Sequence, residues 1–215
     1  IERHGPIRAL IIDDTGIPKK GKHSVGVARQ YCGQLGQQDN CQVAVSLSVA
    51  NDHASLPIAY RLYLPHEWAD DANRRTQAGV PDDVAFQTKP QIALDQLRAA
   101  VAAGIEAEVA LVDAGYGTDT DFRDGITEIG FPYVVGIQSS TSLWPPGEEP
   151  LPPKKWGGRG RPTSSIRRDA KHQPVSAKQM ALGLPRRAWR QVTWREGTNT
   201  KLTSRFAAVR VRPAH

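Results

Sequence analysis

Three aspartates stand where two hydrophobic runs end. Ala9-Leu-Ile-Ile-Asp13-Asp14 places two carboxylates after a short aliphatic run, and Glu108-Val-Ala-Leu-Val-Asp113 places a third after another. A single strand-terminal Asp is most often a helix N-cap or a turn residue. Two runs that end alike argue for more. If the two strands are neighbours, their carboxylates sit side by side and cannot all stay ionised without compensation. Either a pKa rises or a divalent cation binds. Hard oxygen ligands of this kind suit Mg²⁺ or Mn²⁺.

The residues just after the first run offer a decoy. Gly16-Ile-Pro-Lys-Lys-Gly-Lys22-His23 nearly spells a phosphate-binding G-x-x-x-x-G-K-[ST] loop, but position 23 is His instead of a hydroxyl. No good helix follows, because Ser24 to Gly33 holds two glycines and β-branched residues. Nucleotide hydrolysis is therefore not favoured. Lys19, Lys20 and Lys22 suit a DNA phosphate near the metal, or are simply solvated. His23, His53 and His66 read as surface or packing residues and not as bases. Cys32 and Cys41 are too few for a disulfide framework and lack zinc spacing, so a reducing cytosolic setting is the default.

These residues need elements to position them. Ala9–Asp13 reads as a buried strand, and Gly16 to Gly36 as a loop leading into an extended stretch. Gln42–Val49 alternates as a second strand. Leu56–Leu64, ended by Pro65, is the third. Thr88 caps a helix that runs through Ile92, Leu94, Leu97 and Val101 and stops at Gly104. Glu108–Asp113 is the fourth strand. Asp119 or Thr120 caps a helix through Phe122 and Ile126 that ends at Gly130, and Phe131–Ile137 is the last strand. The order βββαβαβ predicts an antiparallel meander continued by right-handed parallel crossovers, a mixed sheet with helices on its faces. In such sheets chemistry collects at the carboxyl ends of parallel strands.

Charge divides the chain. All 215 residues carry a formal +6, with a pI near 9.5 and a mean hydropathy of -0.47. Residues 1–153 hold 12 Lys+Arg against 20 Asp+Glu, a net of −8, while 154–215 hold 16 against 2, a net of +14. An acidic body with a basic final third points to a polyanionic partner, with a solvated basic face as the plain alternative. Arg159, Arg161, Arg167, Arg168, Arg186, Arg187 and Arg190 are the candidate contacts. Trp144, Trp156, Trp189 and Trp194 stand among them, either to stack on unpaired bases or to pin strands of a small sheet. The seam, Leu143 to Pro162, is too rich in Pro and Gly for a helix or central strand and reads as an exposed linker. No window approaches the roughly 18 apolar residues of a membrane span, and Ile1 to Gly5 resembles no signal peptide. The chain opens without Met and is expected to be a piece of a longer protein.

The long stretch Asp13-Asp14-Thr-Gly-Ile-Pro-Lys-Lys-Gly-Lys-His-Ser-Val-Gly-Val-Ala-Arg-Gln-Tyr-Cys-Gly33 resembles the first active-site region of bacterial insertion-sequence transposases with a DDE endonuclease domain. Tyr63-Leu-Pro-His-Glu-Trp-Ala-Asp-Asp71 and Leu111-Val-Asp-Ala-Gly-Tyr-Gly117 are similar to later stretches of that family. The resemblance implies a ribonuclease-H-like α/β fold with a basic β-rich insertion. The catalytic core would span 1–142, the linker 143–162 and the insertion 163–215. It also implies two-metal phosphoryl transfer with Mg²⁺ or Mn²⁺, hydrolysis first and then attack of the freed 3′-OH on target DNA.

By position Asp113 matches the family's second catalytic Asp, and the first is Asp13 or Asp14, with Asp13 preferred from the pattern Asp, any residue, then Thr or Ser. DNA (transposon ends and target) is the implied partner, with a homo-oligomer on DNA, no membrane, and a cytoplasmic, nucleoid-associated setting. One departure matters. The family's third acid, in a Tyr-x-x-Arg-x-x-x-Glu-x-x-x-x-x-x-Lys context, has no counterpart, and Glu196 before Gly197 in an apparent turn is a poor substitute. Ala188–Trp194 and Arg205–Val211 read as strands of the insertion. The chain by itself is expected to be inactive. A resolvase-type nuclease of the same fold and a dead DNA-binding remnant are the rival readings.

Overall fold

A computed structural model describes the chain apart from residues 1, 2, 4, 162, 163, 165, 197–199 and 215 and the Glu196 side chain. It has two compact units, 1–137 and 138–215.

The first unit contains β1 (Ala9–Pro18), β2 (Ala28–Cys32), β3 (Gln37–Ala50), β4 (Ser55–Leu62), α1 (His66–Ala69), α2 (Ala72–Ala78), α3 (Lys89–Ala102), β5 (Val109–Val112), α4 (Ala114–Gly117), α5 (Thr120–Ile129) and β6 (Tyr133–Val135). Its six strands form one mixed sheet. β3 pairs antiparallel with β1 along one edge, and with β2 and then β4 end to end along the other. β5 runs parallel to β1, and β6 parallel to β5.

Alternation along the strands builds the core. Leu10 and Ile12 of β1 join Val45, Leu47 and Val49 of β3 beneath Ile92, Ala93 and Leu97 of α3 and Phe122 and Ile126 of α5. Both long helices thus lie on one face, not on both faces as expected. The chain advances in one direction from β4 through β5 to β6, so two right-handed crossovers return over the same side. Local chemistry fixes the helix limits. Thr88 and Gln91 close a capping box on α3, and Gly104 turns the chain away at φ +78. Asp119 caps α5 by accepting from the Phe122 amide, and Gly130 ends it at φ +76.

The stretch from Gly16 to Gly36 departs from the expected loop. β1 continues to Pro18, and Ala28–Cys32 forms a strand against Gln37–Cys41 of β3. The glycines mark the bends, with Gly26 at φ +75 and Gly36 at φ +66, while Ala28–Cys32 between them is extended. The meander β1–β3–β4 is present with β2 added to it.

The second unit holds β7 (Ser142–Trp144), β8 (Val175–Ser176), α6 (Ala177–Gly183), a 3₁₀ turn at Arg186–Ala188, β9 (Arg190–Glu196), β10 (Lys201–Phe206) and β11 (Arg212–Pro213). β7 lies between β11 and β8, and β9 and β10 pair as an antiparallel ladder. Leu143 and Trp144, read from sequence as the start of the linker, are a buried strand instead. Trp144 is therefore a packing residue, whereas Trp156 and Trp194 are exposed. The strand expected over 188–194 begins two residues later. The strand expected over 205–211 is displaced toward the N-terminus, because β10 takes its register from β9. α6 was not expected, although Ser176 and Gln179 close a capping box at its start. The turn expected after Glu196 falls on 197–199, outside the described residues. Among the described residues no helix is long and apolar enough to cross a membrane.

Candidate active site

The parallel pairing of β1 with β5 decides where the acids stand. Ile12 and Val112 are register partners, so Asp13 and Asp113 follow them at the same level on neighbouring strands. Neighbouring strands lie about 4.8 Å apart. Asp113 ends its strand by capping α4, its Oδ1 accepting from the Gly115 amide at 2.8 Å. Two glycines allow that turn to sit where it does. A Cβ on Gly117 would stand 1.8 Å from the Gly136 carbonyl oxygen, and a Cβ on Gly136 would stand 2.7 Å from the Ala114 amide nitrogen. The backbones touch because neither residue has a side chain.

Asp13 and Asp14 differ in direction, as successive strand residues must. Asp14 continues the row of Leu10 and Ile12 toward the helices, where both its oxygens are engaged. Oδ2 accepts from Lys89 Nζ at 2.6 Å, and Oδ1 accepts from the Tyr116 hydroxyl. Lys89 is the first residue of α3, between the Thr88 and Gln91 of the capping box, so the helix start fixes the backbone that carries its ammonium. Tyr116 lies within α4 and is buried. Burial, first, and then the negative charges of Asp14, Asp113 and Asp13 push its phenol well above the ordinary value of 10, so it stays a donor to Asp14. Asp13 belongs to the opposite row, with Ile11 and Thr15, and is exposed. Its Oδ1 accepts from the Asp14 amide at 2.8 Å, and its carbonyl accepts from Ser46 Oγ at 3.0 Å.

This donor set fits a hard divalent cation only in part. Asp13, in mid-strand on β1, and Asp113, just past β5, offer exposed carboxylate oxygens at one level, while Asp14 is held by a cation and a phenol. Among the described residues no three His, Cys, Asp or Glu side chains gather closely enough to hold a metal.

Lys19, Lys20 and Lys22 lie just past the end of β1, with Lys20 and Lys22 exposed. Arg159, Arg161, Arg167, Arg168, Arg186, Arg187 and Arg190 are exposed on the second unit, where the Arg167 Nε donates to the Pro152 carbonyl at 3.0 Å. His66 stacks on Phe86 at 3.6 Å between ring centroids, a packing role. Sequence reasoning missed Lys89 and Tyr116. The only local sign of the tyrosine was its place in Asp113-Ala-Gly-Tyr-Gly117, and Lys89 lies 75 positions from the acid it pairs with.

The family model described as DDE superfamily endonuclease matches residues 1–201. The probable transposase for insertion sequence element IS701 of Microchaete diplosiphon is 34% identical over 132 residues, covering 61% of this chain and 32% of that protein. The chain thus spans about a third of the length of that relative. No solved structure matches it.

Proposed function

Because the chain belongs to the DDE superfamily endonucleases, we propose that it is part of the catalytic region of an insertion-sequence DNA transposase that cuts DNA and joins the cut end to a target. The observation that carries this reading is the placement of Asp13 and Asp113 at one level on neighbouring parallel strands, with a lysine-bearing loop beyond them. The fold is read as ribonuclease-H-like, with residues 1–142 as the core, 143–162 as a linker and 163–215 as a basic insertion.

Asp13 and Asp113 would hold the divalent ion, Mg²⁺ or Mn²⁺. When bound, such an ion acidifies a water and stabilises a leaving 3′ oxygen. The chain's own groups prepare that site. Asp14 spans Lys89 and Tyr116, tying the middle of β1 to the start of α3 and to the turn that Asp113 caps. Asp14 therefore acts first as a positioning acid, and Asp13 is the first catalytic acid. Lys19, Lys20 and Lys22, with the arginines of the second unit, neutralise DNA phosphates. The partners are transposon ends and target DNA, bound by a homo-oligomer in the cytoplasm at the nucleoid. With Asp14 engaged and no third acid beside Asp13 and Asp113 among the described residues, the 215-residue chain by itself would nick DNA negligibly.

The test is cleavage and strand transfer in a polypeptide extended to the relative's length. Asp13→Asn and Asp113→Ala should each abolish both, while Asp14→Asn should leave measurable cleavage. Pre-cut ends should be joined to target DNA, which a resolvase-type nuclease would not do. Cleavage untouched by Asp113→Ala would overturn the reading.

A further inference from the structure

Nine residues, Lys19 to Val27, connect β1 to β2, and their backbone is held by side chains from three other elements. Asn40 of β3 donates its Nδ2 to the carbonyls of both Lys19 and Gly21, at 2.7 and 2.9 Å. Its own carbonyl accepts from the Lys19 amide at 2.8 Å. Arg74 of α2 donates to the Lys22 carbonyl at 3.0 Å, and Gln42 of β3 to the Val25 carbonyl at 2.6 Å. Trp68 of α1, itself buried, donates its indole Nε1 to the Val27 carbonyl at 2.8 Å. Arg74 is in turn set by the Asp71 cap on its amide and by the Trp68 ring 3.6 Å beneath its guanidinium.

A nine-residue connection with glycines at 21 and 26 would ordinarily be among the freest parts of a fold. Here five of its carbonyls accept from those side chains, and its exposed side chains are Lys20, Lys22 and His23, with Lys19 half-exposed beside them. Among the described residues Lys19, Lys20 and Lys22 form no ion pair with a carboxylate. They are three of only 12 Lys+Arg in the first 153 residues, a stretch whose net charge is −8. An acidic body that keeps a cluster of unpaired lysines on a backbone tied down beforehand is built to receive a polyanion.

We infer that the loop from Lys19 to Val27 is a preformed cradle for the phosphates of a DNA duplex, and that Asn40 is the positioning residue that holds Lys20 and Lys22 in place for them. Asn40 touches no phosphate itself. It acts through the two carbonyls it binds, so that ordering of the lysines is complete before DNA arrives and does not subtract from affinity. This inference rests on the DNA reading above.

The experiment measures binding of a 20-base-pair duplex to the full 215-residue chain across a series of salt concentrations. Lys20→Ala/Lys22→Ala should reduce the log-log salt slope by about 1.8, two phosphates at about 0.9 each. Asn40→Ala should keep the wild-type slope, since every charge remains, while weakening binding about tenfold through lost preorganisation. Amide exchange over residues 19–23 should quicken in Asn40→Ala, with exchange in β1 and β3 unchanged. Asn40→Ser, which retains one donor, should fall between, and it carries the same comparison if Asn40→Ala does not fold. Unchanged binding in the double lysine variant would show that DNA does not use this loop, and the reading beneath the inference would fail there. Weakened binding in the lysine variant with wild-type affinity in both Asn40 variants would overturn the cradle alone.

Discussion

Gly117→Ala tests whether backbone contact between α4 and the end of β6 is what places Asp113. The added Cβ would lie 1.8 Å from the Gly136 carbonyl oxygen, 3.0 Å from its carbon and 3.1 Å from Val135 Cβ. Real Cβ atoms essentially never sit closer than 3.0 Å to such an atom, so the two backbones must separate by at least 1.2 Å. No flexible side chain can absorb this, because the obstacle is main chain that also donates the Gly136 amide to the Val112 carbonyl at 2.8 Å. Overpacking of this kind costs about 1–3 kcal/mol, or about 3–9 °C in thermal midpoint at roughly 3 °C per kcal/mol. The same displacement passes through a four-residue helix whose first cap is Asp113 and whose Tyr116 holds Asp14. Misplacing a catalytic group by about 1 Å costs on the order of 100-fold in rate. Calorimetry on the 215-residue chain and plasmid nicking by the extended enzyme read the two effects. Gly33→Ala is the control, since a Cβ there meets nothing within 4 Å. A Gly117→Ala protein that melts and nicks like this control would refute the contact as the determinant of Asp113. One that melts lower yet nicks normally below its midpoint would refute the link to catalysis.

Alkaline stability should carry the mark of Tyr116. Its phenol is pushed above 10 in the folded chain, so above about pH 10 the unfolded state loses a proton that the native state keeps. That contribution is complete below the unfolded pKa and is lost as pH rises beyond it, at up to about 1.4 kcal/mol per pH unit. Urea unfolding between pH 9 and 11 should show this extra fall in the wild type and not in Tyr116→Phe; parallel curves would dismiss it. For the second unit, changing Arg186, Arg187 and Arg190 together to Ala should lower the log-log salt slope of duplex binding by up to about 2.7, at about 0.9 per phosphate. A slope equal to wild type in fluorescence anisotropy titrations would remove these arginines from the DNA interface.

What the sequence by itself determined is what short-range chemistry controls. The aliphatic run Ala9-Leu-Ile-Ile opens β1, although the strand continues past Asp13 to Pro18. Thr88 and Gln91 start α3, Gly104 stops it, and Asp119 and Gly130 bound α5. Each of these signals acts within a turn or so of the residue that carries it, so no knowledge of the rest of the chain is needed to read it. Asp113 at the end of its strand was legible for the same reason, whereas Asp13 and Asp14, read as closing the first strand, stand mid-strand because pairing with β3 carries β1 on to Pro18. Tertiary structure decided the rest. Ala28–Cys32 became a strand because a partner edge of β3 was free beyond β4, a fact of pairing that glycine-punctuated sequence conceals. Asp13 and Asp14 are neighbours with one chemistry, yet the strand turns one toward Lys89 and Tyr116 and the other toward water. Asn40, an ordinary polar residue in a strand, acquired its grip on Lys19 and Gly21 only when β3 paired with β1 and carried it beneath the loop. A side chain's partners across 20 to 100 positions depend on which strands become neighbours, and that is settled by burial of the whole core, not by any local pattern.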